Sequence, residues 1–95
     1  MRIQMTETYR DWINALKDRV ARARIQVRID RFAHGNPGQY RKLTHGVSEL
    51  KLDIGPGYRV YYTERDGELI ILLAGGDKSS QRQDVKVAIS LAQNL

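Results

Sequence analysis

"GVSELKLDIGPGYRVYYTERDGELIILLAGGDK", residues 46–78, decides how the rest of the chain folds. Residues 47–54 alternate with period two. Ser48, Leu50, Leu52 and Ile54 point one way, and Val47, Glu49, Lys51 and Asp53 the other, as a half-buried strand requires. Gly55–Pro56–Gly57 reverses the chain into "YRVYYTER", which carries Arg59 at its second position. Asp66–Gly67 is a two-residue hairpin signal, and it leads into "ELIILLAG". That strand is apolar at successive positions, which predicts a central strand covered on both faces.

Upstream, "YRKL" supplies a short extended piece, and "HGNPG" (34–38) is a helix stop. A helix over about 20–34 precedes it, with Ala21, Ile25, Ile29 and Phe32 as its apolar stripe. Arg24, Arg28 and Arg31 form a neighbouring stripe, which reads first as a solvated helix face. Before that, Tyr9, Trp12, Ile13 and Leu16 mark an amphipathic helix over 9–18, with Thr8 and Asp11 in capping-box spacing. "RIQM" (2–5) is the one spare strand, and the last strand of the meander needs a neighbour. Downstream, Ser80 and Gln83 predict the cap of a helix over about 80–94, with Val85, Ala88, Ile89 and Ala92 facing inward. The order is β-αα-ββββ-α. It predicts one α+β domain over 1–95, with helices on one face of a mainly antiparallel twisted sheet.

Composition agrees. Of 95 residues, 41% are apolar and 28% charged, which is the balance of a soluble globular domain. There is no cysteine, so no disulfide or thiolate metal site forms, and a cytoplasmic location is the simplest expectation. The first twelve residues lack the apolar stretch of a signal peptide. The longest apolar run, "LIILLA" (69–74), is too short to span a bilayer, so no membrane association is expected. Sixteen Lys and Arg against eleven Asp and Glu leave a net charge of +5, which favours a polyanionic or acidic partner.

The turns predict a register. A three-residue Gly55–Gly57 loop sets Ile54 against Tyr58, Asp53 against Arg59 and Lys51 against Tyr61. A two-residue Asp66–Gly67 turn sets Arg65 against Glu68 and Arg59 against Ala74. One face then collects Leu50, Leu52, Ile54, Val60, Tyr62, Ile71 and Leu73 as core. The other collects Lys51, Asp53, Arg59, Tyr61 and Ala74, with Ile70 and Leu72 beside them and Gly75, Gly76 and Lys78 following. Small residues next to Arg59 predict a basic depression with an aromatic, suited to a phosphodiester and a stacked base. The competing reading pairs Arg59 with Asp53 as a surface contact.

No phosphate loop, metal-spaced His/Cys cluster or serine elbow is present. "GGDKSS" opens a helix whose amides could hold a phosphate, but the spacing is not that of a nucleotide hydrolase. His34 suits a helix end, and His45 is a lone loop histidine near the mouth of the sheet.

With that order of elements, "GPGYRVYY" followed by "LLAGGDKSSQ" resembles the RelE/ParE toxin superfamily, in its HigB-type addiction module killer protein (phage Gp49-like) branch. The resemblance runs from "DWINALKDRVARARIQVRIDRFAHGNPG" to the last helix. It implies the toxin half of a type II toxin–antitoxin pair, neutralised by a helix-turn-helix antitoxin that carries the complex onto operator DNA. In RelE-like members the activity is ribosome-dependent mRNA cleavage, with the message's own 2′-OH as nucleophile and no metal or other cofactor. ParE-like members poison DNA gyrase instead, and a toxin-derived co-repressor without activity is a third alternative.

By resemblance, Arg59 falls on the arginine that meets the scissile phosphate, and Lys78 on a basic position after the last strand. Lys51 lies on the strand that carries a basic pair, offset by one; Leu50 and Leu52 hold the two matching positions. The family's C-terminal tyrosine or histidine for proton transfer has no counterpart, which leaves Asp84, near that point, and His45 as candidates. Arg41, Lys42, Tyr61 and Arg82 are expected to bind RNA, and Arg24, Arg28 and Arg31 to meet the antitoxin.

Overall fold

Thr6, rather than Thr8, opens the first helix in the computed structural model, which describes all residues 1–95. Its Oγ accepts from the Tyr9 amide at 3.1 Å and donates to the Leu73 carbonyl at 2.5 Å, so the cap also docks the helix on the sheet. Helix α1 therefore spans Glu7–Ala15, and the strand before it, β1, spans Arg2–Met5. The Asp18 carboxylate accepts from the Ala21 amide at 3.0 Å and caps α2, Arg19–Ala33. Strands β2 (Tyr40–Lys42), β3 (Ser48–Leu52), β4 (Tyr58–Arg65) and β5 (Leu69–Asp77) follow. A 3-10 turn (Lys78–Ser80) and α3 (Gln81–Gln93) close the chain.

The sheet order is β1-β5-β4-β3-β2, with β1 parallel to β5 and every other pair antiparallel. The spare N-terminal strand does flank the last strand of the meander. The register departs from the predicted one at both turns. The β3–β4 ladder sets Leu52 against Tyr58 and Lys51 against Arg59, so the loop is longer and Asp53 lies beyond the paired residues. That shift is two residues and preserves which face each side chain takes.

At the second turn, Asp66, Gly67 and Glu68 all lie between the paired Arg65 and Leu69. This one-residue slip turns β5 over. Ile70 and Leu72 join the face of Leu50, Val60 and Tyr62, while Ile71 and Leu73 lie on the opposite one. A bulge between Tyr61 and Tyr62 adds one more residue, so Arg59 pairs with Gly76 rather than Ala74.

Helices cover both faces, not one. Helices α1 and α2 cover the first through Tyr9, Ala21, Ile25, Ile29 and Phe32. Helix α3 covers the second through Val85, Ala88 and Ile89 against Val47, Tyr61, Leu73 and Ala74. The two glycines ending β5 are the contact points. A Cβ on Gly75 would overlap the Trp12 ring, and one on Gly76 would overlap the Asp84 carboxylate. They admit helices to the sheet and leave no depression. Ser80 caps no amide of α3; Asp77 caps the preceding turn instead, accepting from the Ser79 amide at 2.8 Å.

Candidate functional site

Two rows of side chains cross the α3 face of the sheet where α3 begins. Arg41, Glu49, Tyr61 and Ala74 form one row, and Lys51, Arg59 and Gly76 the next. Between β2, β3 and the start of α3, the Arg41, Glu49, Lys51 and Arg59 ends of these rows border an open cavity of about 350 Å³, lined also by Gln39, Tyr40 and Gln81. Three cations and one carboxylate line it.

Arg59 is 6% exposed. Its Nη1 donates to the Gly57 carbonyl at 3.0 Å, but its Nε has no hydrogen-bond partner. The nearest carboxylate to that Nε is Glu49, 3.9 Å away, too long for a hydrogen bond. Burying a guanidinium edge without a hydrogen-bond partner is costly. The Asp53 partner is absent: Asp53 is exposed and lies 3.9 Å from Lys51.

Glu49 was not anticipated as a site residue. It is 2% exposed, meets Arg41 Nη2 at 3.0 Å and accepts from Gln81 Nε2 at 3.2 Å. The signal was a lone acidic residue on an inward-facing strand position, ordinarily read as the solvent side of an alternating strand. Only α3 and β2 turn that position into an interior one.

Lys51 and Arg41 thus meet Arg59 at the cavity, and Lys78, outside its lining, lies across Gly57 from Arg59. A Cβ on Gly57 would lie 3.4 Å from Arg59 Nη1 and 3.6 Å from the Lys78 Cβ, so Gly57 is the spacer between them. Arg82 is exposed in the first turn of α3.

Four residues fall elsewhere. Tyr61 is fully buried and offers no ring face to a base. Burial, with Glu49 and Asp84 nearby, raises its phenol well above the usual range. Asp84 sits over Gly76 and accepts from Ser80 Oγ at 2.5 Å, outside the cavity lining. His45 and Lys42 line a separate cavity of about 750 Å³ around Tyr40, Val47 and Tyr62. His45 holds a φ of 56° in its turn, with Nδ1 3.1 Å from the Thr44 hydroxyl.

Of the arginine stripe, Arg24 and Arg31 are exposed. Arg28 is engaged: it donates from Nε to the Pro37 carbonyl and from Nη1 to that of Lys51, both at 2.9 Å, and from Nη2 to that of Gln39. Gly38, with a φ of 68°, lies against this guanidinium, where a Cβ would stand 2.6 Å from Nε. No group of three His, Cys, Asp or Glu side chains is placed to hold a metal ion. No helix is long and apolar enough to cross a membrane.

Fold and cavity together define a small α+β protein with a cationic cleft at the end of its sheet. The chain belongs to the family described as phage derived protein Gp49-like (DUF891), matched over residues 11–95, a family associated with toxin–antitoxin pairs. An uncharacterized protein of Haemophilus influenzae (strain ATCC 51907 / DSM 11121 / KW20 / Rd) is 45% identical over 95 residues, which is 100% of this chain and 96% of that one. No solved structure matches.

Proposed function

We propose that this chain is the toxin of a toxin–antitoxin pair and acts as an endoribonuclease on mRNA at the ribosome, restrained by a helix-turn-helix antitoxin that carries the complex to operator DNA. The observation behind this reading is Arg59, a buried guanidinium with an unpaired Nε, lining a cleft together with Lys51 and Arg41. Three cations against one carboxylate suit a bound phosphodiester, and the buried guanidinium gains most from it.

The chemistry follows from these side chains. The RNA 2′-oxygen attacks the adjacent phosphorus as its proton passes to a base, and the bond to the 5′-oxygen of the next nucleotide breaks. A 2′,3′-cyclic phosphate and a 5′-hydroxyl result, with water at the open mouth of the cleft returning the proton. Arg59 and Lys51 neutralise the charge that builds on the phosphoryl oxygens. Glu49, the one carboxylate lining the cleft, is the proton acceptor, and Arg41 and Gln81 hold it in place. This assigns proton transfer to neither His45 nor Asp84. On this reading Lys78 and Arg82, outside the cleft lining, extend the phosphate track.

Expression without antitoxin, followed by primer extension on a translated message, tests the reading. Cuts within codons that vanish in Arg59→Ala support it. Gyrase-trapped DNA breaks with intact messages would establish the gyrase-poison alternative. Harmless overexpression of folded protein would leave a co-repressor role.

A further inference from the structure

Tyr40 is the one residue that lines both the Arg59 cleft and the cavity of about 750 Å³ that holds Lys42 and His45. The larger cavity follows from where α2 stops. Lys42, Ser48 and Tyr62 form a cross-strand row on the face that α1 and α2 cover. Helix α2 reaches that row only through Phe32, whose ring meets Tyr62 edge-on at 4.8 Å, and it ends at Ala33. Gly35 and Pro37 then form one wall, and the loop after β2 forms the other. That loop is held in shape. The Leu43 amide donates to the Val47 carbonyl at 2.9 Å, the Val47 amide to Thr44 at 3.0 Å, and the Thr63 hydroxyl to Gly46 at 2.8 Å.

Its chemistry is that of a nucleotide site. Phe32, Val47 and Tyr62 are buried and supply an apolar floor, while Tyr40 is 49% exposed. Lys42 and Glu64 are exposed on the rim, and neither has an ion-pair partner. Burial first, and then Glu64, raise the Tyr62 phenol, so that carboxylate acts at the floor. The backbone adds to this. Gln39 and Leu43 bond inward to β3, so strand alternation points the amides and carbonyls of Tyr40 and Lys42 outward along the free edge of the sheet. Arg41 lies on one side of that edge and Lys42 on the other. An aromatic beside an apolar floor suits a base, the carboxylate an exocyclic amine, and the lysine a phosphate. An apolar peptide side chain would leave Lys42 and Glu64 without partners.

We propose that an RNA strand with one phosphate in the Arg59 cleft crosses the free edge of β2 and seats its neighbouring base, a purine, in this cavity against Tyr40. Arg41, Lys42 and the outward amides of β2 take the phosphate at the crossing, and Glu64 accepts from the exocyclic amine of the base. A purine covers more of the ring and the floor than a pyrimidine does, so the cavity selects which nucleotide adjoins the cleaved bond. Recognition is then divided between the two faces of the sheet, with charge read on one and base size on the other. The inference deepens the reading above and rests on RNA being what the cleft binds.

The test uses the full chain and three probes that cannot be cleaved: adenosine 5′-monophosphate, and the 2′-deoxy trinucleotides of adenine and of cytosine. Tyr40 ring protons and the Ser48 amide report the cavity, and the Arg59 Nε–H signal reports the cleft. The adenine trinucleotide should move both sets of signals with one affinity. It should bind at least tenfold more tightly than the cytosine trinucleotide or the mononucleotide. Tyr40→Ala should abolish the adenine preference, and Tyr40→Phe, which keeps the ring, should retain it. Equal affinity for the two trinucleotides would overturn the proposal, as would a preference that survives Tyr40→Ala. A mononucleotide that binds as tightly as the trinucleotide would make the cavity a site for free nucleotides and overturn the crossing. Signals confined to either cavity alone would overturn it too. Binding at both places in a protein that cuts no message in the primer-extension assay would sink the nuclease reading and leave the base pocket standing. No binding of any probe at millimolar concentration would end both.

Discussion

Lys51 and Arg59 stand directly opposite each other across β3 and β4, two cations in one cross-strand pair. Like charges in that position oppose pairing by a fraction of a kcal/mol to about 1 kcal/mol. Glu49, two residues along β3, offsets only part of this, since it lies 3.9 Å from Arg59 Nε and is already held by Arg41 and Gln81. The arrangement is worse for the free protein than an apolar pair would be, and better for a protein with an anion bound between the two.

Arg59→Met should therefore separate stability from activity. The variant should keep its stability within about 1 kcal/mol of wild type in urea denaturation, because the opposed charges disappear together with one buried cation. Message cleavage should fall about 100- to 1000-fold, the usual loss when one donor to transition-state charge is removed. Arg59→Lys should not restore it, since an ammonium is a single point charge and cannot present a planar guanidinium fork.

Removing Glu49 should have the opposite character. Glu49→Ala leaves Arg59 without its neighbouring carboxylate inside the protein, and loss of about 3–5 kcal/mol is expected by chemical denaturation. Glu49→Gln should lose much less stability and keep the fold by circular dichroism. It should still bind a non-cleavable 2′-deoxy oligonucleotide but lose cleavage. Full activity in Glu49→Gln would remove it as the proton acceptor.

Gly75 and Trp12 should be energetically coupled. A methyl group at Gly75 meets the indole directly, and Gly75→Ala should cost about 1–3 kcal/mol through overpacking. Trp12→Ala makes room, so the double variant should be more stable than the sum of the two losses predicts. A double-mutant cycle in urea reads the coupling, and strict additivity would show that α1 simply lifts away.

Alkaline pH should unfold the protein cooperatively. Burial raises Tyr62 to about 12 from an ordinary value of 10, and burial moves Tyr9 and Tyr61 upward as well. The unfolded chain releases these protons near pH 10 while the native chain keeps them, so stability is intact below pH 10 and falls as pH rises toward 12. Phenolate absorbance and loss of far-UV dichroism should appear in the same transition. Tyr61→Phe, which removes a buried hydroxyl with no partner, should shift that transition to higher pH.

Element types were legible in the sequence because periodicity reports which residues are apolar on which side. Helix α2 shows this: Ala21, Ile25, Ile29 and Phe32 are all buried where their spacing places them. What periodicity cannot report is a continuous apolar run. In "LIILLA" either parity satisfies the pattern, so one extra residue at the Asp66–Gly67 turn exchanged Ile70 and Leu72 with Ile71 and Leu73 unnoticed. The bulge beside Tyr61 was equally silent, since Leu73 and Ala74 are buried in any register. Arg59 and Lys51 were found at the site because a two-residue error leaves the face unchanged. Glu49 was missed because its burial depends on Gln81 and Arg41, two residues far from it along the chain.

The parallel pairing of β1 with β5 has a consequence for how the molecule comes into being. Arg2 sits beside Leu69, so β1 has no partner until β5 has been made. Closing so long a loop is entropically demanding and slow compared with forming either helix. The cleft is subject to the same order, because its lining runs from Gln39 to Gln81 and α3 must arrive before Glu49 is enclosed. During its own translation the nascent chain therefore carries Arg59 before it carries the enclosed cavity, which closes in one late step.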